Sequence, residues 1–370
     1  MSSALFSPIT LRGLTLANRI VVSPMCQYNA ENGSANDWHL MHLGQFVMGA
    51  AGLVIAEATA VSPVARITHQ CLGLYSDDNE RVLARVVEFC RAYGVTALGI
   101  QLAHAGRKGS VHTPLEGGAA LAPDQRPWTP VAPSALPYAP DRPVPQALDR
   151  AGLAEVNAQF AAAAERAARL GFDLVELHGA HGYLLHEFLS PLSNRRGDEY
   201  GGSLDNRMRF PLEVFEAVRR VWPADRPLGI RVSATDWVDG GWTPDETVVF
   251  AWALKDLGCD FVDVSSGGLD PRQEVPLGPG YQVPFAEKVR REAEICTWAV
   301  GMITEAHQAE AIVASGRADM VALARAAMDD PRWAWHAARA LGAEAPYSRM
   351  YARCHPSRWP GPVAPPRAPE

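Results

Sequence analysis

Short apolar runs recur along this chain, each leading into a polar or titratable cluster and then into a segment of helical spacing. Two brief apolar stretches within residues 5–18 flank Arg12-Gly13 and predict a small hairpin. Ile20-Val21-Val22 then read as a first buried strand, stopped by Pro24. GLVIAEA (52–58), TALGIQLAHAGRKG (96–109), the run of Leu174, Val175 and Leu177, PLGIRVS (227–233), DFVDVSSGG (260–268), CTWAVGMI (296–303) and DMVALAR (319–325) predict seven more. Helical spacing marks 79–93, where Val82, Val86, Phe89 and Cys90 share a face before Gly94, and also 153–170, 206–221, 243–257 and about 304–316. Thr243-Pro244-Asp245-Glu246 has the form of a capping start.

Nearly continuous apolar strands alternating with helices argue for a closed (β/α)8 TIM barrel of the α/β class over an open sheet. It carries a short N-terminal hairpin and an extended C-terminal tail: one domain over residues 1–345, then a tail over 346–370. Two segments interrupt the alternation. The proline-rich stretch 110–146 is too long for a plain connector, and loops of that length are usually lids or substrate walls. The tail holds Tyr347, Arg349, Tyr351, Arg353 and His355 before WPGPVAPPRAPE, whose composition predicts disorder. Its aromatic and basic residues either dock on a neighbouring subunit or serve no contact.

Composition narrows the function classes. The 370 residues are 48% hydrophobic and 20% charged, ordinary for a globular chain with a large core. A formal charge of -7 gives no support for binding nucleic acid or an anionic membrane, so anion binding falls to local basic groups. The first twenty residues lack the pattern of a signal peptide, and no apolar run approaches the roughly 20 residues that span a bilayer. Six cysteines without a CxxC pair suit a reducing compartment, and the expected location is the cytoplasm.

The chemistry concentrates after the fourth strand, in DLVELHGAHGYLLHEFLSPLSNRRGDEYGGSLDNR (173–207). His178, His181 and Tyr183 gather where strand gives way to loop, as active-site groups do in barrels. A single histidine there is as readily a satisfied structural one. Half a zinc site is the other plain reading, but the absence of closely paired ligands argues against a metal. The pair reads better as two donors aimed at one carbonyl or anionic oxygen, with the Tyr183 phenol as a nearby proton source. Cys26 and Tyr28 stand just past the first strand, where the thiol is either merely buried or functional. Arg231 lies inside a buried strand, where a cation is costly unless it meets an anion; that anion is a bound ligand or a core carboxylate.

Seven motifs together resemble the old yellow enzyme family of FMN-dependent ene-reductases, in its thermophilic-like, xenobiotic reductase-like class. They are SPMCQY (23–28), EATAV (57–61), GIQLAHAGRK (99–108), ELHGAHGYLLHEFLSPLSNRR (176–196), DEYGGSLDNRMRF (198–210), RVSATDW (231–237) and AVGMIT (299–304). The resemblance implies non-covalent FMN, with Ser23, Pro24, Met25 and Cys26 along the flavin and Ala58 at its edge. Gln101 falls at the pyrimidine, and Arg231 near N1 and the C2 carbonyl. It puts the phosphate at Val300, Gly301, Ala324 and Arg325. It further implies NADPH or NADH as reductant and small activated alkenes as substrates, with the activating oxygen on His178 and His181 and a proton from Tyr183. Tyr28 would contact substrate, Cys26 would tune the flavin, and the assembly would be a homodimer or homotetramer.

Three departures stand out. Trp298 replaces a small residue and is expected to crowd the wall near the seventh strand. Ala324 replaces a glycine next to the phosphate site. Tyr351-Ala352-Arg353-Cys354-His355 only approximates the family's tail motif, whose arginine enters the partner subunit's site. The rival readings are a flavin-binding redox sensor without turnover, or another FMN barrel reductase. A dienoyl-CoA reductase would need closely spaced cluster cysteines, and a dihydrouridine synthase a basic surface; the chain has neither.

Overall fold

The computed structural model describes residues 3–359. Eight parallel strands close into a barrel: β1 Ile20–Val22, β2 Leu53–Ala60, β3 Ala97–Ala103, β4 Leu174–Gly179, β5 Leu228–Ser233, β6 Phe261–Ser265, β7 Thr297–Ala299 and β8 Met320–Leu323. Closure runs through β8 and β1, with Leu323 opposite Val22. Helices α1 Asp37–Val47, α2 Asp77–Tyr93, α3 Arg150–Leu170, α4 Leu204–Val221, α5 Pro244–Asp256, α6 Val283–Ala293, α7 Ala306–Ala314 and α8 Trp333–Leu341 follow the strands in turn. Covered outside by helices and filled inside by side chains, the strands are buried on both faces, which is why they read as continuous apolar runs. Thr243 and Glu246 form the expected reciprocal cap, with Pro244 in the first turn of α5.

Several strands are shorter than the apolar pattern predicts. Residues 104–109, 266–268 and 300–303 leave the ladder at the barrel rim and become loops. The polar ends of those runs belong to the rim, where barrel enzymes keep their sites.

The barrel interior is graded. Its floor is apolar: Val21, Leu53, Ile55, Leu174, Phe261, Trp298 and Met320 pack together, closed from below by Leu11 and Leu16. Those two belong to the N-terminal hairpin, Ile9–Leu11 against Leu14–Leu16. Trp298 is wholly buried and stacks on Phe261 at 3.9 Å between centroids. The bulky indole therefore fills the floor and does not crowd a substrate wall, correcting the expectation drawn from its size. Room for this stack comes from Gly229, where a Cβ would sit 2.5 Å from the Phe261 ring. Gly229→Ala should lower stability by about 1–3 kcal/mol through overpacking; urea denaturation showing no loss would mean the ring simply moves aside.

Two residues further along the inward-facing positions, the filling turns polar. Gln101, Glu176, Arg231 and Asp263 project from β3, β4, β5 and β6, and above them stand His178, Ser233 and Ser265. Residues 110–149 form short turns and a two-residue ladder, Val131–Ala132 with Gln146–Ala147, beside the rim. Among the described residues no helix is long and apolar enough to cross a membrane.

The tail folds back on the barrel's outer helices. Tyr347 stacks on Trp335 at 4.2 Å, Arg332 lies 5.2 Å over Tyr351, and Ser348 Oγ donates to the Tyr93 carbonyl at 3.0 Å. Residues 360–370, which include most of the segment expected to be disordered, lie outside the described residues.

Candidate active site

The sequence 178–183 makes a tight passage from β4 into a short buried helix, Leu184–Leu189. His181 sits at φ +58° and Gly182 at +71°. Glycine is required at 182, because a Cβ there would run into the Gly268 backbone. The turn is pinned by wholly buried polar groups. Gly182 N donates to His186 Nδ1 at 2.9 Å, and His186 Nε2 lies 2.9 Å from Asp236. Asp236 also accepts from Ser190 Oγ at 2.6 Å and from the Trp242 amide at 2.7 Å. The passage therefore has little freedom to move.

This geometry gathers the three predicted catalytic side chains. The His178 ring lies 5.2 Å from that of His181 and 5.0 Å from that of Tyr183. Ser233 Oγ accepts from the His181 amide at 3.0 Å, and Ser265 Oγ shares a 2.8 Å hydrogen bond with His181 Nε2. That bond leaves Nδ1 of His181 as the nitrogen available to a ligand. Burial, with Arg231 as the next cause, holds both imidazoles well below the ordinary histidine range, so they are neutral near pH 7. Burial also raises the Tyr183 phenol, which keeps its proton.

Lys108 completes the cluster, although it was read in the sequence only as the end of the third run. Its Nζ donates to the carbonyls of His181 (2.8 Å) and Gly268 (2.9 Å), tying the loops after β4 and β6 together. The ammonium lies 4.9 Å over the Tyr183 ring and 4.8 Å over that of Tyr138. Burial pulls it down to about 8. Its neighbours in the same motif are structural: Arg107 Nη2 donates to Leu269 O at 2.9 Å, and His104 Nδ1 accepts from Gly106 N at 3.1 Å.

A cleft of about 350 Å³ opens above these groups, lined by Tyr28, Ile67, Lys108, Tyr138, Arg142 and Tyr183 among others. The long 110–149 segment thus supplies a wall, through Tyr138 and Arg142. Opposite, Tyr28 adopts φ +49° beside Cys26. Their segment is held from below by Glu57, whose carboxylate accepts from Gln27 N at 3.0 Å and lies 3.5 Å from His39 Nε2. Burial raises Glu57 to about 8, and burial together with Glu57 raises the Cys26 thiol well above its ordinary value. Cys26 is therefore a thiol, not a thiolate.

Buried polar atoms without partners also occur on, or just past, three of the strands that carry the site. Ser23 Oγ at the end of β1, His178 Nδ1 and Arg231 Nε have no hydrogen-bond partner among the described residues. Arg231 lies 3.2 Å from Asp263, so a core carboxylate faces it, and Gln101 Nε2 donates to Glu176 at 2.7 Å. Beyond β7, Gly301 adopts φ +117°, open to glycine alone, with Tyr281 and Gln282 packed where a Cβ would stand. Ala324 has φ −110°, so its methyl imposes no left-handed strain, and the exposed Arg325 follows it. A polar donor set at the pyrimidine end, small residues at Ala58 and Gly301 and a cation beyond β8 fit an extended flavin nucleotide. Arg353 is not part of this grouping: it is exposed on the turn Arg349–Cys354, in a tail that packs on α8.

Comparison with known proteins agrees with this geometry. The model of the NADH:flavin oxidoreductase / NADH oxidase family matches residues 4–344. The NADPH dehydrogenase of Geobacillus sp. (strain WCH70) is 45% identical over 95% of this chain and 99% of its own length. That of Bacillus subtilis (strain 168) is 43% identical over the same shares. Morphinone reductase superposes with a TM-score of 0.78 at 29% identity, covering 93% of this chain and 91% of its own. With the barrel and the matched length agreeing, the chain belongs to the NADH:flavin oxidoreductase / NADH oxidase family as an old yellow enzyme member, an FMN-dependent oxidoreductase that takes its electrons from a reduced nicotinamide.

Proposed function

We propose that the chain reduces the carbon–carbon double bond of small alkenes activated by a carbonyl or nitro group, such as enones, enals, maleimides and nitroalkenes. The observation that carries this reading is the convergence of His178, His181 and Tyr183, the His178 ring lying 5.2 Å from that of His181 and 5.0 Å from that of Tyr183, which lines the cleft. FMN, when bound, would supply the hydride chemistry, with NADPH or NADH as the source of electrons and the alkene β-carbon as the acceptor. The neutral imidazoles donate N–H to the activating oxygen and stabilise the negative charge that gathers there. His181 can do so from Nδ1 when Ser265 donates to its Nε2. Tyr183 delivers a proton to the α-carbon from the face opposite the hydride.

Ser23, Pro24, Met25, Cys26 and Ala58 would line the flavin ring, Gln101 the pyrimidine, and Arg231 the N1 side. Val300, Gly301, Ala324 and Arg325 would hold the phosphate. Tyr28 would bound the substrate, and Arg353 would reach the cleft of a partner subunit in a homodimer or homotetramer. A cytoplasmic location suits a reductant drawn from the nicotinamide pool.

Anaerobic absorbance of the purified protein, first with NADPH and then with cyclohexenone, tests this. Bleaching of the flavin band followed by its return on adding enone supports the reading. Bleaching without return transfers the function to another acceptor. At the ring, Cys26→Ser should retain FMN and shift its midpoint potential, since it exchanges a polarizable thiol for a hydroxyl with stronger hydrogen bonds. A redox titration with no shift would leave Cys26 a packing residue.

A further inference from the structure

Directly beneath the donor pair, the polar layer of the barrel holds more acid than its one cation can balance. Asp263 stands opposite Arg231 in the β5–β6 register at 3.2 Å, and Glu176 stands opposite Gln101 in the β3–β4 register. Glu176 and Asp263 are both 0% exposed. Glu176 Oε2 and both Asp263 carboxyl oxygens have no hydrogen-bond partner among the described residues. The groups facing the two carboxyls are Gln101 from β3, His178 from β4, Arg231 from β5 and the uncharged Trp298 from β7.

Two ionised carboxylates against a single guanidinium would leave a net buried negative charge, which is prohibitively costly. Like carboxyls in contact relieve this by holding one proton between them. We infer that Glu176 carries this proton and donates it to Asp263, so that ionised Asp263 neutralises Arg231 and sets how strongly that arginine attracts charge on a flavin bound above it.

The directions of the acid shifts agree. Burial, then Asp263, raises Glu176 well above an ordinary carboxyl; burial raises Asp263 too, and Arg231, then the hydrogen bond that a proton on Glu176 would donate, opposes that rise. The inference rests on the proposed flavin placement beside Arg231. Two-electron reduction adds negative charge to a flavin near N1, and an un-neutralised cation there would favour it. Asp263 therefore acts through Arg231 as a restraint on the flavin potential and takes no part in the chemical step itself.

The two acids consequently differ in effect. Asp263→Asn combined with Glu176→Gln removes both acids, so that no second carboxyl can ionise in place of Asp263; Arg231 is left unopposed, and the midpoint potential of bound FMN should rise. The expected change is at least tenfold in the two-electron equilibrium constant, about 30 mV. Glu176→Gln alone removes only a neutral acid, and its amide still donates to Asp263, so its potential should stay within that tenfold. Dye-equilibrated anaerobic titration of the wild type and both variants reads this. Glu57 and Glu187, both raised by burial to about 8, add their own protonated-carboxyl bands. The second readout is therefore the infrared difference, measured without flavin, which should show one such band lost from Glu176→Gln relative to the wild type.

An unchanged or lowered potential in the Asp263→Asn, Glu176→Gln double variant overturns the inference. So does a Glu176→Gln protein that loses no carboxyl band relative to the wild type or shifts by more than tenfold, and this arm stands even where the double variant does not fold. A wild-type protein that takes up no FMN removes the flavin placement, and the inference falls with it. FMN bound with equal potentials in all three proteins removes the inference alone.

Discussion

Tyr183→Phe should leave reduction of the flavin by NADPH near the wild-type rate and slow alkene reduction by roughly 100-fold or more, the usual size of a lost general acid. The change removes one hydroxyl and keeps the ring. That ring packs against His178 at 5.0 Å and lies under Lys108 at 4.9 Å, so the turn after β4 should hold its shape. Burial raises the phenol well above its ordinary value, which makes it a poor anion but a reliable proton carrier at neutral pH. Stopped-flow absorbance of the two half-reactions separates the effects. An unimpaired oxidative half-reaction would remove Tyr183 from the donor role and require solvent or another group to supply the proton.

His178→Ala should cost about 10²–10³-fold in the rate of alkene reduction, the magnitude seen when one donor to a developing oxyanion is lost. Removing His181 as well should cost less than the product of the two single effects, because both act on one oxygen. The charge state of the pair gives a second check. Burial and then Arg231 hold both imidazoles neutral, so they donate N–H across the range where an ordinary histidine titrates. The alkene-reduction step of the wild type should accordingly show no inflection near pH 6.5. An inflection there that disappears in His178→Ala would mean that imidazolium, not imidazole, is the working form.

Much of this site is legible along the chain because its chemistry follows single strands. His178, His181 and Tyr183 lie within six residues, and the turn that joins them packs their rings together beside the cleft that Tyr183 lines. Lys108 also lies in a recognisable motif, yet its role depends on carbonyls from two distant loops. Arg231 offered two partners on sequence grounds, a ligand or a core carboxylate; the structure shows Asp263 beside it while leaving its Nε without a hydrogen bond. Trp298 misled by size alone. Whether an indole on β7 faces the floor or the rim depends on its height in the barrel, and Phe261 on the next strand decides that. Helix α1 escaped the apolar pattern because its buried face includes His39, His42 and Gly44.

The sequence by itself determined the eightfold alternation, the rim positions of the titratable clusters and the family, because apolar period and motif spacing are local properties. Only the tertiary structure decided how the barrel closes in register. That register stacks an apolar floor, the Gln101, Glu176, Arg231 and Asp263 layer and the histidine pair in order, and it brings Ser265 to His181 while Tyr138 and Arg142 reach the cleft. Height within a closed barrel is set by pairing between strands far apart in the chain, and no single strand carries that information.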